Sequence, residues 1–115
     1  MNIRTNYQLT PGELKNKVIL VTGANRGFGR AMTLALAKAG ATVIMLGRDL
    51  GSLETVYDEV TDAGFTEPML YPLDLEGATP EHYQQLQADV LNAFGQLDGL
   101  IHNAAIIGIF RISIS

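Results

Sequence analysis

Apolar residues in this chain fall into short solid runs separated by stretches of helical spacing. Val18-Ile19-Leu20-Val21 and Thr42-Val43-Ile44-Met45-Leu46 are nearly unbroken runs of strand length, the pattern of strands buried on both faces. Met69-Leu70-Tyr71 is a shorter third run, with Pro72 and Asp74 at its end, and Leu97 to His102 is a fourth. The stretches between them read as helices. In the first, Phe28, Met32, Ala35 and Ala39 share one face with Ala31 and Leu34 beside them, so the helix should be largely covered. Gly40 ends it as a C′ glycine. In the second, Leu53, Val56, Val60 and Ala63 recur at helical spacing and Gly64 stops the run. In the third, Thr79 is an N-cap, Pro80 stands at N1 and Glu81 in the first turn. Tyr83, Leu86, Val90 and Phe94 then share a face, and Gly95 closes the helix.

Strand and helix therefore alternate, with strands about 25–30 residues apart, as βαβ units require. Right-handed crossovers make the sheet parallel, which predicts an α/β doubly wound fold. Residues 1–17 read as an extended lead-in, with a turn signal at Thr10-Pro11-Gly12 and Leu14 placed to pack on the domain.

Composition narrows the class. With 115 residues, 47% apolar and 17% charged, the chain is long enough for one small globular domain. It has no cysteine, which excludes disulfides and thiolate metal sites. His82 and His102 are the two histidines, too few for a histidine-rich metal site. No signal-peptide pattern opens the chain, and the most apolar stretch, Gly99 to Phe110, is interrupted by His102 and Asn103 and is too short to span a bilayer. The expectation is a soluble cytoplasmic protein. The net charge of −4 hides a segregation: residues 1–48 carry +6 and residues 49–115 carry −10. A phosphate partner suits the basic half. The acidic half speaks against general binding to nucleic acid.

The candidate chemistry lies where the first strand ends. The order Gly23-Ala24-Asn25-Arg26-Gly27-Phe28-Gly29 runs from strand into helix with Gly-x-x-x-Gly-x-Gly spacing. Gly23 allows a sharp turn off the strand, where positive φ is needed. Gly27 lets backbone come close to a bound group, and Gly29 lets the helix pack tightly on the sheet. A helix N-terminus at the same spot offers N–H groups and partial positive charge, which suits a pyrophosphate.

This stretch, with Thr22 before it, resembles the cofactor-binding signature of the short-chain dehydrogenase/reductase family. Asn103-Ala104-Ala105 resembles the family's Asn-Ala-Gly at the end of the fourth strand, and Asp74 in Leu73-Asp74-Leu75 resembles its adenine-contacting aspartate. The resemblance implies a Rossmann-type sheet of about four strands in the order 3-2-1-4, an NAD(H) or NADP(H) cofactor, and hydride transfer to or from a carbonyl or alcohol. It implies cofactor contacts by Gly23, Asn25, Arg26, Gly27, Phe28, Gly29, Asp74, Asn103, Ala104 and Ala105. Ala105 departs from the family's glycine, adding a methyl group where the cofactor ribose passes, and Phe28 replaces a more usual isoleucine or leucine. Arg48, just past the second strand, stands where an arginine accommodates the 2′-phosphate of NADP. With Arg26 it points to NADP(H) over NAD(H). Asp49 has two readings, an NAD-type ribose acid or the N-cap of the next helix, and the cap is the commoner use.

The family's acid/base is a tyrosine with a lysine four residues on. No Tyr-x-x-x-Lys occurs here: Tyr7, Tyr57, Tyr71 and Tyr83 are followed at that spacing by Pro11, Thr61, Leu75 and Gln87. No catalytic residue and no metal ligand is assigned. Residues 18–105 are expected to be the dinucleotide-binding half-domain and residues 106–115 an atypical tail, reading as a truncated or frame-shifted end or a chosen fragment. The tail alternates Phe110, Ile112 and Ile114 with polar residues like a strand. The fourth strand is expected to be an open edge that self-associates or recruits this tail. The alternative to a reductase lacking its catalytic half is a non-catalytic dinucleotide-binding or structural module. A methyltransferase-like nucleotide-binding domain is a more remote rival, disfavoured by Arg48 and Asn103.

Overall fold

The computed structural model describes residues 12–25, 27–73, 79–101 and 112–113. Strands β1 (Val18–Thr22), β2 (Thr42–Gly47) and β3 (Met69–Pro72) are separated by helices α1 (Gly27–Lys38) and α2 (Leu50–Asp62). Helix α3 (Pro80–Phe94) is followed by short strands β4 (Gln96–Leu97), β5 (Gly99–Ile101) and β6 (Ile112–Ser113). The main sheet is parallel with the order β3-β2-β1-β5. It is an α/β, Rossmann-like sheet in the order anticipated, with β5 as the fourth strand.

Strand β1 lies between two neighbours and is buried at all five positions. That is why its sequence is a solid apolar run. Its side chains alternate: Ile19 and Val21 join Val43 and Met45 beneath α1 and α2, while Val18 and Leu20 join Ile44 and Leu46 beneath α3. The expected fourth strand, Leu97 to His102, is broken at Asp98 instead of running through. The Val18 N–H donates to Asp98 Oδ2 at 2.8 Å, and the Asp98 N–H donates to the Val18 carbonyl at 2.7 Å. Asp98 thus ties off the start of β1, which splits the run into β4 and β5. Of the tail only residues 112–113 are described; they form β6, which pairs antiparallel with β4, Gln96 opposite Ser113 and Leu97 opposite Ile112. Among the described residues, β5 remains the outer strand on its side of the sheet.

Helix α1 turns a different face inward from the one its apolar residues suggested. Gly29, Thr33, Leu36 and Ala37 are buried, Ala31 and Ala35 are exposed, and Phe28 is 44% exposed. Gly29 sets this rotation, because the helix approaches the sheet through its smallest residue. Thr33 tolerates burial by donating its hydroxyl to the Gly29 carbonyl at 2.8 Å. In α2, Leu53, Val56 and Val60 are buried as expected, while Ala63 is an exposed C-cap. Helix α3 buries Leu86 and Val90 but leaves Tyr83 47% exposed. Thr79 and His82 form its capping box, with Pro80 at N1, and Gly95 closes it with φ 74°. Residues 12–16 form turns rather than an extended lead-in, held by Lys15 N–H to the Gly12 carbonyl and Leu14 N–H to the Ala39 carbonyl. Leu14 packs against the core as anticipated.

Candidate functional site

Because the four strands are parallel, their C-terminal ends share one edge of the sheet. That edge carries Gly23 to Asn25 after β1, Arg48 and Asp49 after β2, Leu73 after β3, and Ile101 at the end of β5. The ends are laced together. The Thr22 hydroxyl lies 3.5 Å from the Ile101 carbonyl it donates to, the Ala24 N–H donates to the Leu46 carbonyl at 3.3 Å, and the Leu73 N–H donates to the Gly47 carbonyl at 2.8 Å.

The glycine turn is built as the spacing predicts. Gly23 has φ 58° and Gly27 φ 56°, a region that side chains disfavour. A Cβ on Gly29 would stand 2.1 Å from the Gly23 carbonyl oxygen, so only glycine lets α1 start this close to β1. A Cβ on Gly27 would meet nothing within 4 Å. The turn therefore presents open backbone at the N-terminus of a 12-residue helix with no acidic residue in its first turn. That is a cradle suited to an anionic diphosphate. Phe28 stands exposed beside it, and Asn25 is half-buried within it.

Asp49 is the N-cap of α2: its Oδ1 accepts from the Gly51 and Ser52 N–H groups at 3.1 and 3.5 Å, and its Oδ2 accepts from the Ser52 hydroxyl at 2.7 Å. The Ser52 hydroxyl, with the backbone N–H bonds and nearby Arg48, holds its carboxyl below the usual range. The cap reading of Asp49 is the one the geometry carries. Arg48 is exposed beside it. Arg30, in the first turn of α1, forms a bidentate pair with Glu59 of α2. That bond lowers the Glu59 carboxyl and raises the guanidinium.

Of the sequence-predicted site residues, the structure brings Gly23, Asn25, Gly27, Phe28, Gly29 and Arg48 to this one edge. Arg26, Asp74, Asn103, Ala104 and Ala105 lie outside the described residues. Sequence reasoning quoted Thr22 only as part of the motif and gave no role to its hydroxyl, which reaches across to β5, nor to Gly47, whose missing side chain leaves room for Asn25 and Leu53. A glycine closing a buried apolar strand was the available signal for Gly47. Among the described residues no three His, Asp or Glu side chains are grouped to hold a metal, and no helix is long and apolar enough to cross a membrane.

Comparison with known proteins agrees with this architecture. The short chain dehydrogenase family model matches residues 17–113. An uncharacterized oxidoreductase of Escherichia coli, YciK, is 38% identical over 103 residues, which are 90% of this chain and 41% of that protein. The structure of a putative short chain dehydrogenase from Pseudomonas syringae superposes with a TM-score of 0.82 at 48% identity, covering 91% of this chain and 43% of the other. A Shigella flexneri short chain dehydrogenase, solved in complex with NADP, gives 0.78 at 37% identity, with 86% and 41% covered. The chain thus spans about two-fifths of the length of these relatives. A family model matching residues 17–113, with relatives alike over nearly the whole chain, places this chain in the short-chain dehydrogenase family.

Proposed function

We propose that residues 18–105 form the NADP(H)-binding part of a short-chain oxidoreductase acting on a carbonyl or alcohol. The observation that carries this reading is the glycine turn. Gly29 locks α1 against the Gly23 carbonyl, and Gly27 leaves backbone open above the helix N-terminus. In this reading Gly23, Asn25, Gly27 and Gly29 hold the pyrophosphate, with Arg26 beside them and Phe28 flanking the turn. Arg48 reads the 2′-phosphate, supported by its exposed place after β2 and by an Asp49 committed to the helix cap. Asp74 takes the adenine side, Asn103 ties the fourth strand to its neighbours beneath the cofactor, and Ala104 and Ala105 follow it, Ala105 where the ribose passes. When bound, the cofactor supplies or accepts the hydride. The Shigella flexneri relative was solved with NADP, which supports the choice of dinucleotide.

Turnover also needs a positioned acid/base, and these 115 residues hold no Tyr-x-x-x-Lys. A second reading takes these residues as a dinucleotide-binding module without chemistry of its own. Both readings place the protein in the cytoplasm, and both take the outer edge of β5 as a surface for self-association. Calorimetric titration tests the shared claim. NADPH should bind more tightly than NADH, and Arg48→Ala should shrink that preference by roughly three- to tenfold. Equal affinities in the unaltered chain would show that the arginines do not read the 2′-phosphate. Carbonyl reduction that tracks the purified chain would remove the module reading.

A further inference from the structure

At the end of β2 a glycine stands where its neighbours leave little room. A Cβ on Gly47 would lie 3.2 Å from Leu53 Cδ2 and 3.4 Å from Asn25 Oδ1. Gly47 is not among the glycines with positive φ, so the constraint here is space rather than backbone conformation. The two walls of the slot differ. Leu53 is fully buried in the first turn of α2 and packed in the core of that face, so moving its Cδ2 by the few tenths of an ångström needed disturbs close-packed neighbours. Asn25 is half-buried in the glycine turn and is the wall that can give.

We propose that Gly47 is a positioning residue: its missing side chain leaves the slot that the Asn25 amide occupies, and so fixes the shape of the glycine turn from the far side of β2. The Gly47 carbonyl also receives the Leu73 N–H, and its neighbour Leu46 receives the Ala24 N–H. The ends of β1, β2 and β3 therefore meet at this one point. The Leu53 wall, tight at 3.2 Å, presses a methyl group there toward Asn25, which already stands in contact at 3.4 Å, and so changes the cradle without touching a ligand. The consequence for binding rests on the dinucleotide reading above; the effect on the turn does not.

The test compares the unaltered chain, Gly47→Ala, Leu53→Val and the double variant by amide NMR without ligand, by NADPH titration and by urea unfolding. Gly47→Ala should shift the Asn25 side-chain amide and the Gly23 and Gly27 backbone signals, and weaken NADPH binding by roughly tenfold. Leu53→Val makes room on the core side. The double variant should regain the turn signals and most of the affinity while unfolding more easily than Gly47→Ala. A residue that only supports the fold would lose stability and binding together. Unmoved turn signals in Gly47→Ala, or a double variant bound more weakly than the single, overturn the proposal. Should Gly47→Ala alone not fold, matching turn signals in Leu53→Val and the double variant uphold it, and differing ones overturn it. If the unaltered chain binds no dinucleotide while the turn signals move and recover as described, the positioning role stands and the cofactor reading falls.

Discussion

The two faces of the sheet are built from the same strands but closed to different degrees. Under α1 and α2, Ile19, Val21, Val43 and Met45 meet Leu36, Ala37, Leu53, Val56 and Val60. Under α3, Val18, Leu20, Ile44 and Leu46 meet buried helix residues Leu86 and Val90. An apolar groove remains there between α3 and β5, lined by Leu20, Tyr83, Leu97 and Leu100. Among the described residues, two helices cover the first face and one covers the second. The glycine turn belongs to the closed face, since α1 is the helix it starts. Fixed packing beneath a binding turn keeps its backbone in one conformation. The site thus draws its rigidity from α1 and α2, and the α3 face bears on it mainly through β1.

The comparison fails or holds first at Gly29. Gly29→Ala forces a methyl group into the Gly23 carbonyl at 2.1 Å, backbone against backbone. Stability should fall on the order of 3 kcal/mol or more, and dinucleotide binding with it. Urea unfolding would show this, and an unchanged midpoint would mean that α1 is not seated on β1 as described. The two faces can then be weighed directly. Val60 and Val90 are both fully buried, one on each face. Val60→Ala should cost about 2–3 kcal/mol and Val90→Ala about 1–2 kcal/mol, because the groove beside Val90 lets its surroundings relax. Equal losses would show that the α3 face is packed as tightly as the other.

Acid should affect both faces, and by less. Glu59 is lowered chiefly by its bond to Arg30 between α1 and α2, and Asp89 chiefly by the Tyr71 hydroxyl between α3 and β3. A carboxylate held lower in the folded state adds stability above its ordinary value, near pH 4, and loses it as pH falls through the lowered one. Stability should therefore decline below about pH 4. Glu59→Gln should flatten part of that decline and leave the Asp89 part, as unfolding curves at stepped pH would show. An identical acid profile in the variant would remove Glu59 from the account.

Much of this was legible in the sequence, for physical reasons that particular residues illustrate. Solid apolar runs marked β1 and β2 because strands buried on both faces need apolar residues there, and the shorter run of β3 belongs to a half-buried outer strand. Thr79, Pro80 and Gly95 bounded α3 because capping is local chemistry. The glycine turn was legible because φ near +57° and a 2.1 Å approach admit little else. What stayed hidden depends on contacts distant in sequence. Asp98 breaks the fourth run by bonding Val18, 80 residues away. The buried face of α1 follows Gly29, so counting apolar residues chose Phe28 and Ala35 over Thr33 and Leu36. The slot at Gly47 exists only once α2 and the turn are packed against each other.

The central claim is that the edge carrying the glycine turn binds a dinucleotide and the α3 groove does not. Titrating NADPH into isotope-labelled protein and following the amide signals tests it most directly. The account predicts saturable shifts at Gly23, Asn25, Gly27, Gly29 and Arg48, with Leu86, Val90 and Leu97 unmoved. Shifts centred on Leu86, Val90 and Leu97, or none at the glycine turn at saturating NADPH, would contradict it.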